Sequence, residues 1–384
     1  MPACRGARRV LLIIQHLAFG GAELQLTHLA KGLAELGHEV TLCCIDDADP
    51  ALERPVREAG VEVVELHAPS RVRRALVVPQ LVRLARQADV VHCTMWDATL
   101  WGRLAAILAR RPVIVADHTA DRSVQLSLNG KPRGSWIGLH YRLLDRFTSA
   151  TIACADAQRA VLARDGVALE RIVHIPNGVP IDDLVRAAEG SRVSRADLGI
   201  PDGAKVAMQV GVFRAEKNHI GALEALARVR EEVPDAHLVF VGDGECREDV
   251  ERRARELEAD WAHFLGYRAD VPGVLALADV LVLPSSADAM PMTIIEALAL
   301  EVPVIATDVG DVRRTLAGGA GVVVPAGDGD ALVRACRDVL ADPGRRAELA
   351  RTGHERSAGF DASVMARRYS EVLNAAASRR PLPR

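Results

Sequence analysis

Aromatic side chains are scarce in this chain of 384 residues, where Phe, Trp and Tyr together make up 3%. So few rings leave few platforms on which the bases of a single-stranded nucleic acid could stack. The chain also lacks a strong excess of charge, because its formal net charge is only -3. A phosphate-binding surface for nucleic acid normally needs a clear positive excess. Nucleic acid is therefore not expected as a partner.

Closely spaced cysteines are also missing, since the seven cysteines include no CxxC pair. A disulfide framework or a zinc site would need closer, repeated spacing. No apolar run is long enough to span a membrane, and the first one, at 10–14, ends at Gln15 and His16. These absences predict a cytoplasmic protein with reduced core cysteines. Peripheral contact with the inner face of the membrane stays open as an alternative.

Short apolar segments alternate with longer amphipathic segments along the whole chain. Near-continuous apolar strands separated by helices predict a parallel sheet that is covered on both faces. The first series of predicted strands is 10–15, 40–45, 61–66, 90–93, 113–116 and 150–153. The pattern then restarts at 206–210 and continues at 237–241, 264–265, 280–283, 303–306 and 321–324.

This restart predicts an α/β protein with two doubly wound, Rossmann-like domains. The predicted N-terminal domain is 1–185 and the predicted C-terminal domain is 201–360, with a polar linker between them. A last helix at 361–377 is expected to pack back on the first domain. Ligands of such sheets bind outside the carboxyl ends of the strands. We therefore expect the ligand in a cleft between the two domains.

Gly20 and Gly21 lie between the first predicted strand and its helix. Glycines let the backbone approach a ligand, and a helix start offers unpaired N–H groups to a phosphate. A plain tight turn is an equal alternative, because the GxGxxG pattern is absent.

Arg214 and Lys217 follow the first strand of the predicted second domain. A leaving nucleoside diphosphate gains negative charge as its bond to the sugar breaks. Fixed cations at that place stabilise the transition state more than the substrate. The alternative is a solvated, charged loop.

Asp288 and Glu296 lie eight positions apart, after the predicted strand 280–283. Asp288 is expected in a loop, and Glu296 on a helix that begins near Met292. A carboxylate that faces a ribose can accept hydrogen bonds from both hydroxyls, which suits Glu296. Asp288 would then face the sugar itself. The predicted donor-binding segment comprises Asp288, Met290, Pro291, Met292 and Glu296.

His118 closes the strand 113–116 of the first domain, and His92 ends the preceding strand. An imidazole there can hydrogen-bond a sugar hydroxyl or shape an acceptor pocket. Histidines that are satisfied by backbone partners are the alternative. The predicted acceptor contacts are Glu23, His92, Trp96 and His118. A basic stretch could in addition touch anionic lipid, or form a solvated helix face. It comprises Arg71, Arg73, Arg74, Arg83 and Arg86.

Taken in order, these motifs resemble family 4 of the retaining glycosyltransferases, which have the GT-B fold. The matching segments are 20–23, 36–40, 175–179, 214–217, 241–244, 288–296, 307–310 and 321–328. The resemblance implies that a hexose moves from a nucleotide-diphosphate donor, with a UDP-sugar favoured, to a hydroxyl acceptor. That acceptor would be a saccharide, a lipid-linked sugar or a small metabolite. The nucleotide sugar is a co-substrate, and no metal or other cofactor is implied.

The resemblance also implies roles for individual residues. Arg214 and Lys217 would hold the diphosphate, and Glu296 would bind the ribose. The loop of Gly20 and Gly21 would close over the phosphates, with His118 near the donor sugar. The implied catalytic residues are His118, Asp288, Arg214 and Lys217.

The chain departs from the family pattern at two places. Asp288-Ala289 replaces the usual Glu-Gly, and Asp311 stands where a second glycine often follows Gly310. Two alternatives accompany the transferase interpretation. One is a nucleotide-sugar epimerase, and the other is a catalytically silent protein that binds nucleotide sugars.

Overall fold

The computed structural model describes residues 6–18, 20–117 and 143–383. The chain divides into two compact units, Met1–Gly178 with Ala362–Arg384 and Val179–Asp361. The segment 185–201, predicted as the linker, lies inside the second unit. Its start belongs to the helix Ile181–Glu189, which packs on two other helices of that unit. The division falls instead between Gly178 and Val179.

The first unit contains a parallel sheet in the order β3-β2-β1-β4-β5-β6-β7. Its strands are β1 (Arg9–Ile14), β2 (Glu39–Cys44), β3 (Glu62–Glu65), β4 (Val90–Thr94), β5 (Val113–Asp117), β6 (Ala150–Ala153) and β7 (Ile172–His174). Val10 pairs with Val40 on one side and with Val90 on the other. Alternate residues of β1 belong to different buried clusters, because both faces of the sheet are covered.

Helices cover this first sheet on both faces. They are α1 (Gly21–Glu35), α2 (Pro50–Glu58), α3 (Arg71–Leu76), α4 (Val78–Gln87), α5 (Trp96–Ala109) and α6 (Gln158–Arg164). The C-terminal helix, Ala362–Ala377, belongs to the same unit and packs on α1. His38 Nε2 lies 2.7 Å from Ser370 Oγ, which adds a buried polar contact to this packing.

The second unit repeats the same plan with its own residues. Its sheet is parallel, in the order β10-β9-β8-β11-β12-β13. The strands are β8 (Lys205–Val210), β9 (Ala236–Val241), β10 (Ala262–Phe264), β11 (Val280–Leu283), β12 (Val304–Thr307) and β13 (Val322–Val324). The helices are α7 (Ile181–Glu189), α8 (His219–Val229), α9 (Arg247–Glu256), α10 (Val271–Leu275), α11 (Met292–Ala299), α12 (Val312–Thr315), α13 (Gly329–Ala341) and α14 (Pro343–Ser357).

Each sheet has a point at which the strand order reverses, between β1 and β4 and between β8 and β11. Such a switch point leaves a crevice at the carboxyl ends of the two strands, where ligands of doubly wound folds bind. The predicted α/β class with two Rossmann-like sheets is confirmed. Among the described helices, none is both long and apolar enough to cross a membrane.

Candidate functional site

The switch point of the second unit gathers the predicted cations and carboxylates. The strand β8 leads into a 3₁₀ turn at Ala215–Lys217, and β11 leads into the loop before α11. The backbone amide of Ser286 donates to Glu216 O at 2.8 Å. Asn218 Nδ2 donates to Pro284 O at 3.2 Å. These bonds join the two loops into one surface.

Lys217 and Asp288 form an ion pair on this surface. Both side chains are largely buried, with exposed fractions of 26% and 14%. Gln209, which is buried in β8, donates from Nε2 to Lys217 O at 2.8 Å and so fixes the backbone of the turn. The structure thus brings two of the predicted catalytic residues into direct contact. Sequence reasoning missed Gln209, whose only signal is an amide side chain within a strand that is otherwise mostly apolar.

Arg214 lies on the same loop and is exposed. Within residues 143–383, its guanidinium makes no hydrogen bond and no ion pair with another described side chain. It is therefore a cation whose donors remain available to an anion. Arginine suits a phosphate because its planar fork can donate two parallel hydrogen bonds.

Glu296 lies in the second turn of α11, as the sequence predicts. The four neighbours Ile294, Ile295, Ala297 and Leu298 are buried, and Glu296 itself is half-buried. Burial raises the pKa of its carboxyl group to about 7. The described part of the chain supplies no hydrogen-bond or ion-pair partner for this carboxyl group, so both oxygens can accept from a ligand.

The loop before α11 has a closely fixed backbone. The amide of Asp311 donates to Ala289 O at 2.8 Å. A Cβ atom on Gly310 would lie 2.2 Å from Asp288 O, so residue 310 has to be glycine. Asp311 has a φ of -98°, and Ala289 does not adopt a positive φ. Both departures from the family pattern therefore fit the backbone without strain. Met290 and Met292 are buried beside this loop, and Pro291 precedes the first helical residue.

The switch point of the first unit holds the predicted glycine turn. Gly20 precedes α1 in an extended conformation, and Gly21 begins the helix. The carboxylate of Glu23 folds back against Gly20, and its Oε1 lies 3.6 Å from His16 Nε2. His16, which follows β1 and was not among the predicted residues, therefore lies beside a predicted acceptor contact. Trp96 begins α5, directly after β4.

Of the two predicted acceptor histidines, His118 and His92, only His92 lies within the described residues. His118 lies outside the described residues, so its role stays a prediction. His92 is 1% exposed and packs edge-on against Tyr369 of the C-terminal helix, with ring centroids 5.6 Å apart. A ring with so little accessible surface has none to offer an acceptor. We therefore regard His92 as a core residue and do not retain it among the acceptor contacts.

The predicted basic stretch is not one continuous surface. Arg74 is 7% exposed and is paired with Asp46 at 2.7 Å and with Asp97. Its charge is neutralised inside the unit, because α3 turns this side chain toward the end of β2. Arg73 and Arg83 are exposed instead. The stretch therefore divides into a buried, paired arginine and arginines that face the solvent.

One group of metal-ligating side chains is found among the described residues. The group comprises Asp47 after β2, Glu65 at the end of β3 and His67 just beyond it, and His67 Nδ1 lies 2.6 Å from Asp47 Oδ1. Both side chains of that pair are mostly exposed. None of the three belongs to the surface formed by Arg214, Lys217, Asp288 and Glu296.

Two family models divide the chain between them. The model described as Glycosyltransferase Family 4 matches residues 19–183, and the model described as Glycosyl transferases group 1 matches residues 191–356. The chain belongs to the family 4, group 1 glycosyltransferases.

Curated relatives agree with this membership. The glycosyltransferase is 32% identical to the lipopolysaccharide core biosynthesis glycosyltransferase LpsE of Rhizobium meliloti, over 47% of the chain and 53% of LpsE. It is 26% identical to the phosphatidyl-myo-inositol mannosyltransferase of Mycolicibacterium smegmatis, over 92% of the chain and 89% of that enzyme.

Solved structures show the same fold. Anabaena Alr3699/HepE, crystallised in complex with UDP and glucose, matches the glycosyltransferase with a TM-score of 0.81 and 22% identity. The match covers 96% of this chain and 100% of that one. The glycosyltransferase thus has the predicted GT-B architecture. Membership of these families favours a transferase over the epimerase alternative.

Proposed function

We propose that this glycosyltransferase moves a hexose from a UDP-sugar to an acceptor hydroxyl, with retention of configuration and without a divalent metal. The observation that carries the proposal is the surface at the switch between β8 and β11. It combines Arg214, a cation without a side-chain partner among the described residues, with the ion pair of Lys217 and Asp288 and with the carboxyl group of Glu296. The structural neighbour that binds UDP and glucose supports UDP as the donor nucleotide.

Arg214 and Lys217 bind the diphosphate and stabilise the charge that it gains on leaving. In many transferases a divalent cation supplies this stabilisation. The exposed Arg214 and the partly buried Lys217 supply the same electrostatic effect from side chains of the protein. The acceptor hydroxyl attacks the anomeric carbon on the face from which the diphosphate leaves, and the leaving phosphate takes the proton of that hydroxyl. Neither a nucleophile of the protein nor a separate base is then required.

Glu296 recognises the ribose of the donor. An ionised carboxylate accepts hydrogen bonds from both ribose hydroxyls at once. Asp288 faces the transferred sugar from the same loop, and Met290, Pro291 and Met292 line the donor segment. Gly20 and Gly21 contact the phosphates of the donor in this proposal. Glu23, Trp96 and His118 contact the acceptor.

The acceptor is a saccharide, a lipid-linked sugar or a small metabolite, and an anionic membrane surface is proposed as a peripheral partner. Val72 and Leu76 lie one turn apart on α3, and each is 72% exposed. Arg73 is exposed beside them. Apolar side chains flanked by a basic one suit binding to the surface of an anionic bilayer. Replacing Val72 and Leu76 by Ser should abolish co-sedimentation with phosphatidylglycerol vesicles, whereas Leu108→Ser on α5 should not.

A release assay tests the function directly. UDP-sugars and GDP-sugars are incubated with candidate acceptors, and the free nucleotide and the anomeric configuration of the product are measured. We expect UDP release to continue in the presence of EDTA, and the product to have the same anomeric configuration as the donor. Turnover should fall severely in Lys217→Ala and in Glu296→Ala. Lys205→Ala, which removes a surface cation paired with Asp235, is the matched control. If the donor binds tightly but no acceptor leads to release of free nucleotide, the silent binding protein is favoured instead.

A further inference from the structure

The ion pair of Lys217 and Asp288 places a negative charge beside a cation that is proposed to bind the diphosphate. In the described part of the second unit, this pair is the only ion pair that either side chain makes. Both side chains are largely withdrawn from water, so solvent screens their charges less than it would on an open surface. The carboxylate is therefore close enough to act on any anion that Lys217 binds.

The backbone on both sides of this pair is held in place. Gln209 donates to the carbonyl group of Lys217, and Ser286 donates to that of Glu216. Gly310, in a third loop that follows β12, abuts the carbonyl group of Asp288. Neither residue can move away by a shift of its loop. The charge of Asp288 thus stays near the diphosphate when Lys217 binds it.

The two nucleotides that this surface must handle differ in charge. Both phosphates of a sugar nucleotide are esterified, and each carries a single negative charge. The free nucleoside diphosphate ends in a phosphate group that carries no ester, and the second pKa of such a group is about 6. At neutral pH the product therefore carries one more negative charge than the donor, and a nearby carboxylate repels the product more strongly.

We propose that Asp288 is a built-in counter-ion that weakens binding of the released nucleoside diphosphate more than binding of the sugar nucleotide. It thereby speeds product release. This inference rests on the proposed function, because it takes Lys217 as the diphosphate contact. It adds a role for Asp288 that is separate from any contact with the sugar.

Calorimetry on the full chain tests the inference with three probes: UDP, the β-methyl ester of UDP, and uridine. The ester has the same diphosphate as UDP but lacks the additional charge. For Asp288→Asn we expect UDP to bind about tenfold more tightly than to the wild type, a gain of about 1.4 kcal/mol. The ester should gain less, and uridine should not change. A gain in affinity cannot arise from misfolding.

Two further variants serve as controls. Asp288→Glu keeps the charge and should retain the wild-type ratio of UDP to ester affinity. Asp330→Asn removes one carboxylate from a surface ion pair with Arg228 in the same unit and should change no affinity. Stopped-flow displacement of a fluorescent UDP analogue should show slower dissociation from Asp288→Asn alone.

The outcomes separate this inference from the function on which it rests. If Lys217→Ala weakens UDP binding but Asp288→Asn binds UDP no more tightly than the wild type, the counter-ion role is refuted and the donor site stands. Equal gains for UDP and its methyl ester would also overturn it, because they would show no discrimination by charge. If Lys217→Ala leaves UDP binding unchanged, the diphosphate assignment itself fails.

Discussion

Gly310 lies so close to Ala289 that a Cβ atom on residue 310 would be 2.1 Å from Ala289 O. The φ of Gly310 is +51°, a value that residues with side chains rarely adopt. The loop after β12 is thus in direct backbone contact with the loop that presents Asp288. A change at a residue that lies outside the donor segment should consequently disturb the donor site.

Gly310→Ala should displace the loop of Asp288 and weaken UDP binding. We expect the free energy of unfolding to fall by about 3 kcal/mol, since left-handed strain adds to a backbone clash. Gly319→Ala is the matched control, because its φ is +85° but nothing lies within 4 Å of the added Cβ. That variant should lose only about 1 kcal/mol and bind UDP normally. Equal losses of UDP affinity in both variants would contradict the prediction.

Glu296 should make stability and donor binding depend on pH. Its pKa in the folded protein is about 7, raised from 4.5 by burial, so the carboxyl group keeps a proton that the unfolded chain loses. The stability of the wild type should therefore fall, relative to Glu296→Gln, as the pH rises from 4.5 to 7. The difference should reach about 3 kcal/mol. Urea unfolding at a series of pH values measures it, with the exposed Glu348→Gln as the control.

Donor affinity should change in the opposite direction. Because the ionised carboxylate accepts both ribose hydroxyls, binding of an intact sugar nucleotide should strengthen as the pH rises through about 7. Glu296→Gln should bind this ligand more weakly at high pH and show no such rise. A wild-type affinity that is flat across this range would argue against the ribose contact.

The packing of α1 on the C-terminal helix should tolerate no side chain at residue 32. A Cβ atom on Gly32 would lie 2.6 Å from Ala366 Cβ. Gly32→Ala should speed hydrogen exchange in the helix Ala362–Ala377 and cost about 2 kcal/mol, although alanine favours a helix by about 1 kcal/mol. The double variant Gly32→Ala with Ala366→Gly should restore slow exchange. If the double variant did not restore slow exchange, the close contact of the two helices would not be the cause of the faster exchange in Gly32→Ala.

The buried pair of Arg103 and Asp145 should be costly to break. Arg103 Nη1 donates to Asp145 Oδ1 at 2.6 Å, and Arg103 is fully buried. Arg103→Ala should destabilise the protein by about 3 to 5 kcal/mol, since it takes the guanidinium charge away from a buried carboxylate. Arg103→Met with Asp145→Leu should lose much less. Arg228→Ala, at a surface pair with Asp330, should change stability by less than about 1 kcal/mol. Thermal unfolding distinguishes the three variants.

The fold was largely predictable because parallel strands that are buried on both faces are apolar along their whole length. The motifs also placed Arg214 and Lys217 after the strand β8, Asp288 in the loop after β11, and Glu296 on the helix that follows, as the structure has them. The linker was misplaced for a physical reason. The helix Ile181–Glu189 has no fully buried residue, so its composition resembles that of a polar connection.

Contacts between residues that are far apart in the sequence could not be predicted. The residues around Arg74 are typical of an exposed, charged segment. Only the fold brings Arg74 to Asp46, which lies 28 positions away in the sequence. His92 is buried because a helix that begins 270 positions later covers it, from Ala362 on. The contact of Lys217 with Asp288 spans 71 positions. A local pattern gives the chemistry of such residues but not their partners.

The C-terminal helix has a consequence for synthesis on the ribosome. The first unit needs residues from both ends of the chain, because Met365, Tyr369 and Leu373 complete its core. The second unit is continuous and is finished when Asp361 has been made. The unit that is translated first is therefore the last to close, and its apolar face for the C-terminal helix stays uncovered until residues 362–377 have been made. Nascent chains of this enzyme should need protection by chaperones up to that moment.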